Sequence, residues 1–189
     1  MVGPTRRVGF AQFVREPNMI LGMSADTFTQ VHVILSLVGI VSGLIVVFGM
    51  LSANKLDGLA ALFLATTVLT SVTGFFFPVS GFMPSHAIGI LSLVFLAAAI
   101  LAFYVYHLAG SWRWIYAVGA VVALYLNVFV GIVQAFQKVS FLKPLAPTQS
   151  EPPFLVTQIA VMAIFIVLGI LAVRKFHPRV TPVAKSTPY

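Results

Sequence analysis

Five long apolar stretches, separated by short polar turns, dominate the pattern of hydrophobic and polar positions along the chain. None of them contains Asp, Glu, Lys or Arg, and they cover residues 31–51, 59–77, 86–106, 114–136 and 154–173. A helix needs about 20 apolar residues to cross the hydrocarbon core of a bilayer. The alternating pattern of a membrane β-barrel is absent, and a helix satisfies its own backbone hydrogen bonds in lipid. The pattern therefore predicts an all-α fold, an integral membrane bundle of five transmembrane helices.

The polar segments divide the chain into three parts. We predict an interfacial N-terminal tail over residues 1–27, the transmembrane domain over 28–176 and a flexible basic C-terminal tail over 177–189. Between the second and third stretches, Ser85 is predicted to cap the third helix at its N-terminus. The longest connection, residues 137–153, contains four prolines and is predicted either to extend over the helix ends or to have a function.

Composition supports the membrane assignment. Hydrophobic residues make up 60% and charged residues 8% of the 189 residues, whereas a soluble domain carries about a quarter charged residues. So little charged surface excludes a soluble enzyme, a nucleic-acid-binding module and a disordered chain. The net charge of +7 comes from basic residues near span ends and in the tails, where they contact lipid headgroups. The predicted partner is therefore the lipid bilayer and not nucleic acid.

The distribution of basic residues also bears on orientation. An odd number of spans puts the two termini on opposite sides, with five basic residues on the N-terminal side and six on the other. Charges near span ends have the most weight, and Arg6 and Arg7 lie more than twenty residues before the first span. We therefore expect the C-terminus in the cytoplasm and the N-terminus outside.

Small and hydroxyl-bearing residues form stripes on two of the predicted helices. Gly39 and Gly43 make a G-x-x-x-G motif on the first, and Thr66 and Thr70 share one face of the second. Such residues let transmembrane helices pack closely, so helix packing is the main interpretation of both stripes. Asn127 lies near the middle of the fourth span, where packing and a functional role are both plausible.

Two histidines begin parallel spans and are therefore expected at one side of the membrane. His32 opens the first apolar stretch and His86 opens the third. Gln134, near the end of the fourth stretch, and Gln158, near the start of the fifth, are expected at the same side, beneath the proline-rich connection. These four residues form the candidate cofactor-binding site.

Several interpretations of this site remain open. In one interpretation, both imidazoles lie in the headgroup zone and hydrogen-bond loops. His32 and His86 are alternatively the axial ligands of a haem b iron held between two helices. A quinone is a further candidate, because its carbonyls accept hydrogen bonds from His, Gln or Asn. A divalent metal site or a proton path is less favoured, because two imidazoles lack the carboxylate or thiolate that completes such a site. Cysteine is absent, which excludes iron–sulfur clusters and c-type haem.

Motifs for catalysis are missing. The chain has no Ser/His/Asp or Cys/His arrangement, no H-E-x-x-H and no phosphate-binding glycine loop, so nothing indicates an enzyme. Two further functions compete with the redox hypothesis. One is a non-catalytic subunit or assembly partner of a larger membrane complex. The other is a small-molecule permease, which would need a water-filled cavity lined by Thr66, Thr70, Asn127 and Gln134.

Four segments have a distinctive sequence: LFLATTVLTSVTGFFFP at 62–78, WRWIY at 112–116, YLNVFV at 125–130 and APTQSEPPF at 146–154. With these segments the chain resembles a group of small multi-pass proteins of the bacterial inner membrane, for which no activity is assigned. The likeness extends over most of the chain. It implies location in a bacterial inner membrane, and it assigns no functional residue.

Overall fold

The computed structural model describes residues 19–78 and 84–178, and 78% of this part is helical. Five helices are long and apolar enough to cross a membrane, which confirms the predicted all-α bundle. They are α1 (Ala25–Leu51), α2 (Asp57–Gly74), α3 (Pro84–Ile100), α4 (Trp112–Lys138) and α5 (Pro152–Lys175). A π-helical turn, Leu101–Val105, extends α3. Most of the predicted N-terminal tail and the C-terminal tail from residue 179 lie outside the described residues.

Helix α1 begins two turns earlier than its apolar pattern indicates. A short antiparallel hairpin of two-residue strands, β1 (Met19–Ile20) and β2 (Met23–Ser24), leads directly into it. The hydroxyl of Ser24 accepts a hydrogen bond from the Thr27 amide at 3.2 Å, and Asp26 places a negative charge in the first turn. Both features stabilise a helix N-terminus. The predicted tail therefore ends before residue 27, and His32 lies inside the helix rather than at its start.

The start of α3 also differs from the prediction. Ser85 was expected to be the N-terminal cap, but α3 begins at Pro84 and Ser85 lies in its first turn. Proline suits the first helical position, because its fixed φ angle is helical and its missing N–H would have no partner there. His86 is therefore the third residue of α3, close to the N-terminal end of the helix, as predicted.

Helix α4 is the central element of the bundle. It packs against each of the other four helices, and its buried face is rich in small residues such as Ala117, Ala120 and Ala123. Gly119 lets the α4 backbone approach that of α3, because a Cβ atom there would lie 2.9 Å from the Phe95 carbonyl oxygen of α3. Helices α1 to α4 form a ring in which each contacts the next and α4 returns to α1, whereas α5 packs against α4 and α1.

The two glycines of the G-x-x-x-G motif face the ring interior. A Cβ atom on Gly43 would lie 2.7 Å from side-chain carbons of both Phe63 and Leu124, and one on Gly39 would lie 3.0 Å from the Thr67 hydroxyl. Both glycines are buried. They therefore let α1 approach α2 and α4 in the middle of the bundle.

The proline-rich connection folds back on the helices that it joins. It contains a short 3₁₀-helix, Lys143–Leu145, and buries Ala146 against the rings of Phe136 and Phe154, which meet edge to face at 5.5 Å. Its last turn is held by the carboxylate of Glu151, which accepts hydrogen bonds from the Thr148 amide and hydroxyl and from the Ser150 amide. The connection is therefore an ordered loop.

Candidate functional site

A cavity of about 570 Å³ lies inside the ring of helices α1 to α4, at the end where α1 and α3 begin. We call it the central cavity. On α4 its lining extends from Lys138 at the helix end inward to Asn127. The two residues are eleven positions apart, which is ~16 Å at 1.5 Å per residue, about half of the ~30 Å hydrocarbon thickness of a bilayer. The central cavity thus runs from one end of the bundle to its middle.

His32 lines the central cavity, and its ring contacts Thr73 of α2 and Phe77, which follows that helix. Its Nδ1 lies 2.8 Å from the Thr73 hydroxyl oxygen, and the edge of its ring meets the Phe77 ring with centroids 5.1 Å apart. The Thr73 hydroxyl donates its own proton to the Leu69 carbonyl at 2.7 Å. Nδ1 must therefore be the donor toward Thr73, so that Nε2 of the neutral imidazole carries the lone pair.

His86 reaches the same cavity from α3. Its ring stacks on Phe75 with centroids 5.6 Å apart and an angle of 14°. Phe75 in turn lies against Gly89, where a Cβ atom would come within 3.1 Å of the phenyl ring. The segment that follows α2 therefore contributes one aromatic ring to each histidine. The sequence placed the two histidines at one end of the bundle but did not identify these phenylalanines, because FFF before Pro78 resembles any apolar helix end.

The inner part of the central cavity is polar and internally hydrogen-bonded. The Ser36 hydroxyl donates to the Asn127 side-chain oxygen at 2.7 Å, and the Ser71 hydroxyl donates to Ser92 at 3.1 Å. Asn127 is only 8% exposed. A Cβ atom on Gly39 would lie 3.2 Å from the Asn127 amide nitrogen, so α1 and α4 are in close contact just beyond this pair.

The charge of the central cavity is concentrated near its outer end. Among the described residues that line it, Lys138 alone carries a fixed charge, and Gln134 lies one turn further in. Within residues 19–78 and 84–178, no group of three or more His, Cys, Asp or Glu side chains is placed to hold a metal ion. The arrangement therefore offers one cation, two imidazoles and several neutral hydrogen-bonding groups on otherwise apolar walls.

The structure removes one residue from each of two predicted sets, Gln158 from the cofactor site and Thr66 from the permease cavity. Gln158 does not line the central cavity, since α5 packs on the outside of the ring; its amide nitrogen donates to the Phe129 carbonyl at 3.2 Å. Thr66, expected in a permease cavity with Thr70, Asn127 and Gln134, also lies off its wall and donates to the Leu62 carbonyl at 2.7 Å.

The proline-rich loop is likewise not a lid. The lining of the central cavity ends at Lys138, and none of residues 139–151 contributes to it. The loop instead covers the ends of α4 and α5 through the Phe136–Phe154 contact. Among the described residues, the outer end of the central cavity is lined by Ser85, His86 and Lys138 at helix ends and by Phe75 and Phe77 just after α2.

Comparison with known proteins adds no assignment. No protein-family model, curated protein or solved structure matches this chain. The functional argument accordingly depends on the chemistry of the central cavity.

Proposed function

We propose that this chain is a multi-pass protein of a bacterial inner membrane that binds a membrane quinone, as quinone and as quinol, in the central cavity. The observation that carries the proposal is the oriented imidazole of His32. With Nδ1 donating to Thr73, its Nε2 is a hydrogen-bond acceptor at the cavity wall. A quinol hydroxyl is a donor that matches it.

The remaining groups suit the rest of such a ligand. Lys138 can donate to a quinone carbonyl, and Phe75 and Phe77 offer aromatic surface to a planar ring. A mostly apolar cavity with a few polar groups at fixed positions is typical of small-molecule sites, and a volume of about 570 Å³ lies within their usual range.

A haem b held by His32 and His86 is the second candidate. Metal-bound histidines usually donate their other ring nitrogen to a neighbouring acceptor, as His32 does to Thr73, and His86 lines the same cavity. This function requires both imidazoles to meet one iron, whereas quinol binding requires one acceptor and one donor. For either ligand, we propose that another membrane subunit exchanges electrons with it, and that the C-terminus is cytoplasmic.

The test is a binding titration on the detergent-purified protein. A short-chain benzoquinol is titrated by equilibrium dialysis into the wild type, His32→Ala and the control His107→Ala, which changes an exposed histidine at the far end of α3. Loss of one hydrogen bond worth about 1 kcal/mol predicts roughly fivefold weaker binding to His32→Ala, with His107→Ala unchanged. Oxidised and dithionite-reduced spectra of the same samples test the haem candidate. A haem absorption band in the wild type that is lost in His32→Ala would favour haem over quinol as the ligand of the central cavity. A colourless protein without saturable binding contradicts both functions.

A further inference from the structure

A second, separate space lies on the outside of the bundle between α4 and α5. It is a groove of about 480 Å³, and we call it the outer groove. Its walls are apolar apart from the two residues Tyr125 and Arg174: α4 contributes Val118, Val121, Val122 and Tyr125, and α5 contributes Met162, Phe165, Ile166, Gly169, Ile170, Val173 and Arg174. No residue of the outer groove also lines the central cavity.

The outer groove has the length and direction of one lipid chain. Along α5 it runs from Arg174 to Met162, which is ~18 Å at 1.5 Å per residue. One leaflet of the hydrocarbon core is about 15 Å thick, half of ~30 Å. Gly169 leaves space in the middle of the groove, because a Cβ atom there would make only an ordinary contact, at 3.5 Å, with Val121. An acyl chain lying in the groove would therefore have its headgroup end at the level of Arg174.

Charge determines which lipid fits. Arg174 closes the end of the outer groove where α5 finishes, and Trp112 and Trp114 in the first turn of α4 lie at the same end of the bundle, as interfacial residues do. In the described part of the chain the one ion pair joins Lys55 to Asp57, so no carboxylate neutralises Arg174 there. A guanidinium at a headgroup-level helix end binds a phosphate with two parallel hydrogen bonds.

We propose that the outer groove is a binding site for an anionic phospholipid, with one acyl chain between α4 and α5 and the headgroup phosphate on Arg174. This site is independent of the ligand in the central cavity. It would retain a lipid along an α5 face that is otherwise apolar and exposed over most of its length.

Native mass spectrometry of the purified protein with added phosphatidylglycerol or phosphatidylcholine tests the site. The key variant is Arg174→Gln, and the matched control is Lys175→Gln, which removes the same charge one residue away but outside the groove. We expect phosphatidylglycerol to bind in preference to phosphatidylcholine, and Arg174→Gln to weaken that binding roughly fivefold, as expected for one basic residue at a headgroup. Lys175→Gln should retain most of it.

A second pair of variants tests the acyl-chain part of the site. Gly169→Leu fills the outer groove, whereas Ala163→Leu adds the same side chain to an exposed position of α5 that does not line it. We expect lipid retention to fall only in Gly169→Leu. Equal loss of phosphatidylglycerol in Arg174→Gln and Lys175→Gln would overturn the proposal in favour of non-specific attraction. Equal binding of the two lipids by the wild type would overturn it as well.

Discussion

Thr73 accepts a hydrogen bond from Nδ1 of His32 at 2.8 Å, while its own hydroxyl donates to the Leu69 carbonyl at 2.7 Å. A threonine that is bonded to its own helix in this way has only its lone pairs left for a neighbour. The pair therefore sets both the direction of the imidazole and its tautomer. Everything that Nε2 of His32 can do in the central cavity depends on this contact between α1 and α2.

Thr73→Val should weaken quinol binding while leaving the fold intact. Valine keeps the shape of threonine and removes the acceptor, so the His32 ring loses its orientation. We expect binding to weaken about two- to thirteenfold, which corresponds to a hydrogen bond of about 0.5–1.5 kcal/mol. Thr73→Ser, which keeps the hydroxyl, should restore binding. If Thr73→Val binds quinol as well as the wild type in equilibrium dialysis, Thr73 has no positioning role.

The Ser36–Asn127 pair should contribute measurably to the stability of the bundle. Its 2.7 Å hydrogen bond joins α1 to α4 near the middle of the bundle, and Asn127 is buried. Double-mutant cycles for such bonds in membrane proteins average about 0.6 kcal/mol. We expect a coupling free energy of that size between Ser36→Ala and Asn127→Ala in reversible unfolding from mixed micelles. Strictly additive effects would show that the two side chains do not interact in the folded protein.

Gly43→Ala should destabilise the bundle. The new methyl group would meet the Phe63 ring and the Leu124 side chain at 2.7 Å, and Phe63 is fully buried. Overpacking of this kind costs about 1–3 kcal/mol. Gly58→Ala is the control, because a Cβ atom there meets nothing within 4 Å. Thermal unfolding in detergent should show a lower Tm for Gly43→Ala and an unchanged or higher Tm for Gly58→Ala; similar values for both would contradict the tight packing at Gly43.

The loop held by Glu151 should be sensitive to acid. Desolvation alone would raise the pKa of the Glu151 carboxyl, but hydrogen bonds from Thr148 and Ser150 outweigh it and lower that pKa. The contribution of the carboxylate to stability is therefore present above the ordinary glutamate pKa of about 4.3 and is lost as the pH falls through the lower pKa of the folded loop.

Unfolding of the wild type and Glu151→Gln across this pH range provides the measurement. The wild type should have the higher Tm at neutral pH, and the difference should disappear as the pH falls below the glutamate range. An NMR titration of the labelled Glu151 carboxyl carbon should show a midpoint below that of an unstructured peptide. A midpoint at or above the peptide value would contradict the hydrogen-bonded loop.

The helices were predictable from the sequence because lipid imposes long uncharged stretches on any chain that crosses it. The first two turns of α1 were not, since Thr27, Thr29 and Gln30 are polar and interrupt the apolar pattern. Their helical state depends on the Ser24 cap and the Asp26 charge, which are local signals independent of hydropathy.

The position of α5 shows a second limit of the sequence. In a soluble bundle the buried face of a helix is marked by apolar residues, but in lipid the outer face is equally apolar. Hydropathy therefore could not reveal that α5 lies outside the ring, and Gln158 was grouped with His32 and His86 for that reason. The other three members of that group, His32, His86 and Gln134, line one cavity, and their polarity favours the interior of the bundle.

Photo-crosslinking of the purified protein with an azido-quinone, followed by mapping of the labelled peptides, tests the central claim most directly. We predict that label is attached to the walls of the central cavity, in the part of α1 around His32, the end of α2 around Phe75 and the end of α4 around Gln134. It should be displaced by excess unlabelled quinol and reduced in His32→Ala but not in His107→Ala. Label confined to α5, or label that excess quinol does not displace, would contradict a quinone site in the central cavity.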